Sequence, residues 1–116
     1  MKIISLDNVN KIKVQMEGAV GAWKQIPLAS SDGTPMYSFR VFTLEPGGFT
    51  PYHIHNFEHM NYIIKGDGYL INESGDEKPL KAGDFALVMP NEKHQYRNAS
   101  KTNEFVMICG VPKDYE

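Results

Sequence analysis

Apolar side chains recur along this chain in short bursts separated by glycine, proline, asparagine and aspartate. No segment carries the period of about 3.6 residues expected of an amphipathic helix. Residues 36–44 (MYSFRVFTL) combine aromatic and β-branched positions, which suit a pleated surface. The pattern predicts a strand there that stops at Glu45-Pro46-Gly47-Gly48, where proline presets one turn dihedral and glycine supplies the positive φ that follows. Further strands are predicted over 52–55, 59–65 (HMNYIIK), 68–72, 85–89, 94–98 and 104–111. Turns fall at Gly66-Asp67-Gly68, Ser74-Gly75-Asp76 and Ala82-Gly83-Asp84. Many short strands with regular punctuation indicate an all-β sandwich or barrel. Residues 36–111 form the expected barrel core of a single domain over 1–116, and 1–27 supply an arm or edge strands.

Composition narrows the function classes. With 41% apolar and 22% charged residues the chain is ordinary for a globular domain. The net charge is -2 and no basic run occurs, so a nucleic-acid backbone would find little attraction. No apolar stretch is long enough to span a bilayer, and charges at Lys2, Asp7, Lys11, Lys13 and Glu17 interrupt any signal-peptide core. The lone cysteine, Cys109, fits a reducing compartment, so the expected location is cytoplasmic.

The candidate chemistry lies in four histidines, His53, His55, His59 and His94. On a strand, residues two apart face the same side, so His53 and His55 aim into one space. Residues 56–58 are the length of a hairpin connection, which would set His59 opposite His55. Opposed residues have Cβ atoms roughly 4.5–5.5 Å apart, close enough for two imidazoles to share one ion. His94 opens a later strand and would be the fourth ligand. An isolated H-x-H pair is more often a surface feature, but here every histidine of the chain enters one constellation.

The run Gly47-x5-His53-x-His55-x3-His59-x6-Gly66 resembles the first motif of the cupin family, with His59 where that family usually has Glu. Gly83, His94 and Asn98 match the second motif. Its usual Pro falls on Met89 and its turn Gly on Asn91, the mildest replacement because Asn tolerates a left-handed turn best. The resemblance implies a double-stranded β-helix, a jelly-roll-like barrel, commonly homodimeric, with a metal inside one mouth. More narrowly, FTLEPGG, HIHNFEH and PNEKH are similar to small cupins with an all-histidine site. Some of those bind manganese and act on small molecules with dioxygen or peroxide.

Four neutral imidazoles would leave a divalent ion its full charge, so it would polarise a bound oxygen and attract an anion. They would also disfavour a trivalent state, since no carboxylate offsets the added charge. Manganese is the first expectation for the ion, with Fe, Cu, Ni and Zn suited to the same donors.

Strand parity nominates the pocket wall. Tyr96 shares a face with His94, Asn61 with His59, Arg40 with Phe42, and Phe105 with Met107 and Cys109. Each of these has a plainer reading as barrel core or, for Arg40, as a surface charge. Turned inward, Arg40 would clamp a carboxylate. The leading expectation is a metalloenzyme, an oxidoreductase using dioxygen or peroxide on a small organic molecule. The alternatives are a non-redox lyase, decarboxylase or isomerase, and a binding module for a small anion or sugar.

Overall fold

The computed structural model describes residues 1–116. Nine strands follow one another: β1 (Ile12–Lys13), β2 (Val20–Leu28), β3 (Tyr37–Phe49), β4 (His59–Lys65), β5 (Asp67–Ile71), β6 (Glu77–Lys81), β7 (Phe85–Val88), β8 (Gln95–Asn98) and β9 (Phe105–Pro112). Single turns of 3-10 helix at Leu6–Asn8, Ser30–Asp32 and Lys113–Tyr115 are the only helical segments, and none is long and apolar enough to cross a membrane. The strands pair in the order β6-β5-β8-β3-β9-β4-β7, with β1 and β2 added along β3. Every pairing is antiparallel. The sheet curls into an all-β barrel, as the punctuation predicts, and it is the double-stranded β-helix that the cupin resemblance implies.

Three local expectations are corrected. First, β3 does not stop at residue 44; it runs on to Phe49. Val20 pairs with Phe49 and Ala22 with Leu44, so residues 45–48 are a bulge within the strand rather than its end. Gly47 takes φ 73° there, and a Cβ on Gly48 would lie 2.9 Å from the carbonyl oxygens of Val20, Gly21 and Glu45. Second, 52–55 is not a strand, since only His53 makes a bridge, and its partner is His94. His59 opens β4 opposite Val88, not opposite His55. Third, β6 was not expected, because Glu77-Lys78-Pro79 carries no apolar alternation. It survives as the outermost strand, where proline's missing donor faces no neighbour.

Register sorts the barrel into inner and outer rows. Arg40, Cys109 and Asn61 lie side by side on β3, β9 and β4, facing inward. The next inner row runs Lys24, Phe42, Met107, Ile63 from β2 to β4. Below these rows the core closes on Ala22, Leu44, Ile63, Val88, Tyr96, Phe105 and Met107. On the outside, Phe39, Gly110, Met60 and Leu87 form a row across β3, β9, β4 and β7. The side-chain amide of Asn98 pins the bulge by donating to the carbonyls of Leu44, Glu45 and Asn103.

Candidate metal centre and its cavity

The barrel opens into a cavity of about 550 Å³, whose wall includes all four histidines. His53 and His94 exchange backbone hydrogen bonds at 3.1 Å each way, so their rings project from opposed positions into one space. His55 sits in the following loop, held where its carbonyl accepts from the N–H of Asn91 at 2.7 Å. Asn91 is the one non-glycine residue with positive φ, 65°, as its place in the second motif predicts. Ligand nitrogens of His53, His55 and His94 all lie within 4.8 Å of one another.

Backbone contacts also settle which nitrogens are free. His55 Nδ1 lies 2.7 Å from the carbonyl of Phe57, and His94 Nδ1 lies 2.8 Å from that of Glu92. A carbonyl can only accept, so each Nδ1 carries the proton and each Nε2 keeps its lone pair for the cavity. Nε2 of His55 is buried with no partner. A buried acceptor without a donor is costly, and a cation held between the three rings would satisfy the lone pair of His55 Nε2. The donor set fits a transition-metal ion.

Electrostatics keep the rings neutral. Burial, then neighbouring His94, His55 and Arg40, lowers His53 to about 4. Burial and the Arg40 guanidinium lower His59 further, to about 2. His55 and His94 are also lowered, chiefly by burial. Neutral imidazole is the form that ligates.

His59 stands beside the three rather than among them. Its ring centroid lies 4.2 Å from that of His55 and 5.4 Å from that of His94. Its Nε2 accepts from Arg40 Nη2 at 3.1 Å, and its Nδ1 is buried without a partner. Arg40 is 8% exposed, so the inward orientation is the one adopted. Its Nη2 also meets Cys109 Sγ at 3.2 Å, while Nη1 donates to the carbonyl of Tyr115 at 3.2 Å. Tyr96 donates its hydroxyl to Asn61 Oδ1 at 2.7 Å. Burial raises both the Tyr96 phenol and the Cys109 thiol, which stay protonated. Of the pocket residues nominated from parity, Arg40, Asn61, Tyr96, Met107 and Cys109 line the cavity. Phe105 lies in the core beneath it, fully buried.

Four side chains escaped sequence reasoning: Phe57, Tyr115 and Glu116 in one assembly, and Lys24. Tyr115 stacks on Phe57 (centroids 4.0 Å, 15°), and Phe57 stacks on His55 (4.1 Å, 11°). Glu116 then anchors this turn, its carboxylate accepting from the backbone and hydroxyl of Ser30 and from the hydroxyl of Ser38. Nothing in their local sequence marks them, because the contacts span dozens of residues. Lys24 stands apart from them, on the inner row.

Comparison with known proteins places this geometry in a family. The cupin-domain profile matches residues 40–111. L-ectoine synthase of Vibrio campbellii is 28% identical over 87 residues, covering 75% of this chain and 67% of that one. An oxalate-binding protein of Thermotoga maritima is 32% identical over 72 residues, covering 60% and 59%. Among solved structures, the polyketide cyclase RemF of Streptomyces resistomycificus superposes with TM-score 0.91 at 22% identity, covering 97% of this chain and 80% of that one. A predicted oxalate decarboxylase of Thermotoga maritima gives 0.83 at 20%, covering 96% and 98%. With a profile match over most of its length and a barrel that superposes on solved members, this chain belongs to the cupin domain family.

Proposed function

We propose that this cupin holds one divalent transition-metal ion, manganese first among the candidates, and works as a metal-dependent enzyme on a small anionic organic molecule. The observation that carries the reading is the convergence of His53, His55 and His94, with the lone pair of His55 Nε2 buried and unmatched. His59 is the fourth ligand in this reading, once its Nε2 leaves Arg40. The ion would supply Lewis acidity to a bound oxygen function.

The chain's own residues favour polarisation over proton abstraction. The only carboxylate in the cavity wall is Glu116, and it is tied to Ser30 and Ser38. Tyr96 and Cys109 stay neutral, with the Tyr96 hydroxyl already donating to Asn61 Oδ1, so neither serves as a base. Arg40 presents a fixed positive charge beside the imidazoles to orient a carboxylate. Non-redox chemistry therefore leads, and relatives named as a synthase and a cyclase are in keeping with it. Oxidation by dioxygen or peroxide is the second reading. It is favoured by the likeness to manganese cupins and by an inner wall in which Met107 and Phe42 exclude water. A non-catalytic anion-binding module remains the alternative class.

The reading extends to a homodimer. The outer row Phe39, Gly110, Met60, Leu87 continues into Tyr62 and exposed Phe85, and Gly110 makes a dip between Phe39 and Met60. A groove of about 500 Å³ results, apolar and without a charged residue in its wall. Patches of this kind mark interfaces, and a two-fold pairing of this row with its own copy is the arrangement the reading takes.

Elemental analysis of protein purified without chelator or metal-affinity resin tests the centre. About one first-row metal ion per chain is expected, falling below about a tenth in His53→Ala. Metal-free parent protein would overturn the reading. Oxygen-electrode traces on the loaded protein with candidate carboxylates separate the two chemistries.

A further inference from the structure

Two cations share the inner wall with the imidazole cluster, and neither is in an ion pair. Arg40 is buried, and its guanidinium is met only by uncharged groups: His59 Nε2, Cys109 Sγ and the Tyr115 carbonyl. Its Nε is buried with no partner at all. Lys24 pairs with Phe42 across β2 and β3, and Phe42 lies two residues from Arg40 on the same inward face. Lys24 alternates with buried Ala22 on its own strand, so parity also turns it inward, and it lines the same cavity as Arg40. The chain's ion pairs all lie elsewhere, at Lys2–Asp32, Lys11–Glu104 and Lys65–Glu104. Exposed Lys13 adds a further positive charge to the wall.

A buried guanidinium without a carboxylate is an expensive arrangement, and a second cation on the neighbouring strand makes it more so. Glu116 is the sole acid of the cavity, and its oxygens are engaged by serine donors. Burial, then nearby Arg40, lowers the Lys24 ammonium below its ordinary value, and Glu116 raises it in part. No carboxylate lies within ion-pair distance of either cation, so the cavity has room for a further negative charge.

We propose that Lys24 and Arg40 form a carboxylate subsite adjoining the imidazole cluster, so that the ligand of this cavity is a two-headed anion. One head binds at the imidazole cluster and the other, a carboxylate, lies between guanidinium and ammonium. The inference deepens the functional reading above and rests on it only for the metal-bound head.

The test is calorimetric titration of manganese-loaded and metal-free protein with dicarboxylates from succinate to adipate. Each is compared with the monocarboxylate of equal chain length. At least one dicarboxylate binds the loaded parent about tenfold tighter than its monocarboxylate. Lys24→Met narrows that ratio to within about twofold and Lys24→Arg restores it, with metal content and urea midpoint unchanged. No preference in the parent, no binding of any dicarboxylate, or a preference that survives Lys24→Met overturns the proposal. If the protein takes no metal yet a Lys24-dependent carboxylate site persists, the subsite stands and the metal reading fails. If it takes metal and shows no preference, the reverse holds. The parent comparison needs no variant to fold.

Discussion

Arg40 Nη2 donates a hydrogen bond to Nε2 of His59 at 3.1 Å, so the guanidinium engages the lone pair that the proposed metal ion would need. The imidazole is buried and its other nitrogen, Nδ1, has no acceptor, which makes the present state of His59 a compromise. Arg40→Met removes the competitor and one positive charge from beside the site. Metal affinity is expected to rise about tenfold, measured by competition with a chelator, while carboxylate binding is lost. A fall in affinity would mean that Arg40 supports the ligands rather than contesting one.

The stack of His55, Phe57 and Tyr115 fixes a ligand ring from outside the site. Supporting contacts of this kind are worth about 10–100-fold in metal affinity. Tyr115→Ala is expected to fall in that range, and Tyr115→Phe, which keeps the ring, to match the parent. Cobalt titration followed by visible absorption reads both. Equal affinity in the Ala variant would make the stack merely structural.

Acid should weaken the metal-free fold through the histidines. Their native values lie below the unfolded value of 6.5, with His53 at about 4 and His59 at about 2. The native state therefore binds fewer protons, so its stability is complete above pH 6.5 and falls as pH drops toward those values. The slope is about 1.4 kcal/mol per pH unit for a buried histidine such as His59. It is less for His53 and His55, which keep contact with water. Urea midpoints followed from above pH 6.5 down to about 4 check the sign, and His59→Phe should flatten the curve.

Met60→Lys places a charge in the middle of the outer apolar row. Light scattering should then report a monomer where the parent is a dimer, at unchanged metal content, because the inner row is untouched. A parent that is already monomeric would dismiss the interface.

Gly68 lies against Phe105 so closely that an added Cβ would stand 2.3 Å from one ring carbon and 2.7 Å from the carbonyl of Arg97. Gly68→Ala is expected to cost about 1–3 kcal/mol in thermal or urea unfolding. The same packing explains why Phe105, nominated for the pocket by strand parity, belongs to its foundation instead.

What could be read from the sequence was what depends on period and spacing. β4 begins and ends where the run HMNYIIK does, and parity nominates Asn61, Tyr96, Met107 and Cys109 for the cavity, whereas the inward turn of Arg40 is an expectation from the cupin resemblance. Punctuation misled at Pro46-Gly47-Gly48, because a bulge and a chain reversal use the same residues and only the partner strand decides between them. His53 faces His94 rather than His55 facing His59, since the 52–58 segment is a loop tied down by Asn91, a long-range bond without a local signature. Lys24 and Tyr115 were invisible for the same reason: what matters about each lies on a distant strand or turn.

β9 carries Cys109 toward the cavity and Gly110 toward the outer groove, with Met107 and Ile108 divided the same way. In the proposed reading, ligand and partner are thus read by alternate letters of one short sentence. Dropping or adding a single residue there would trade one vocabulary for the other, leaving neither legible. Drift in this strand is confined to substitutions that keep the count, so the two surfaces are bound to evolve in step.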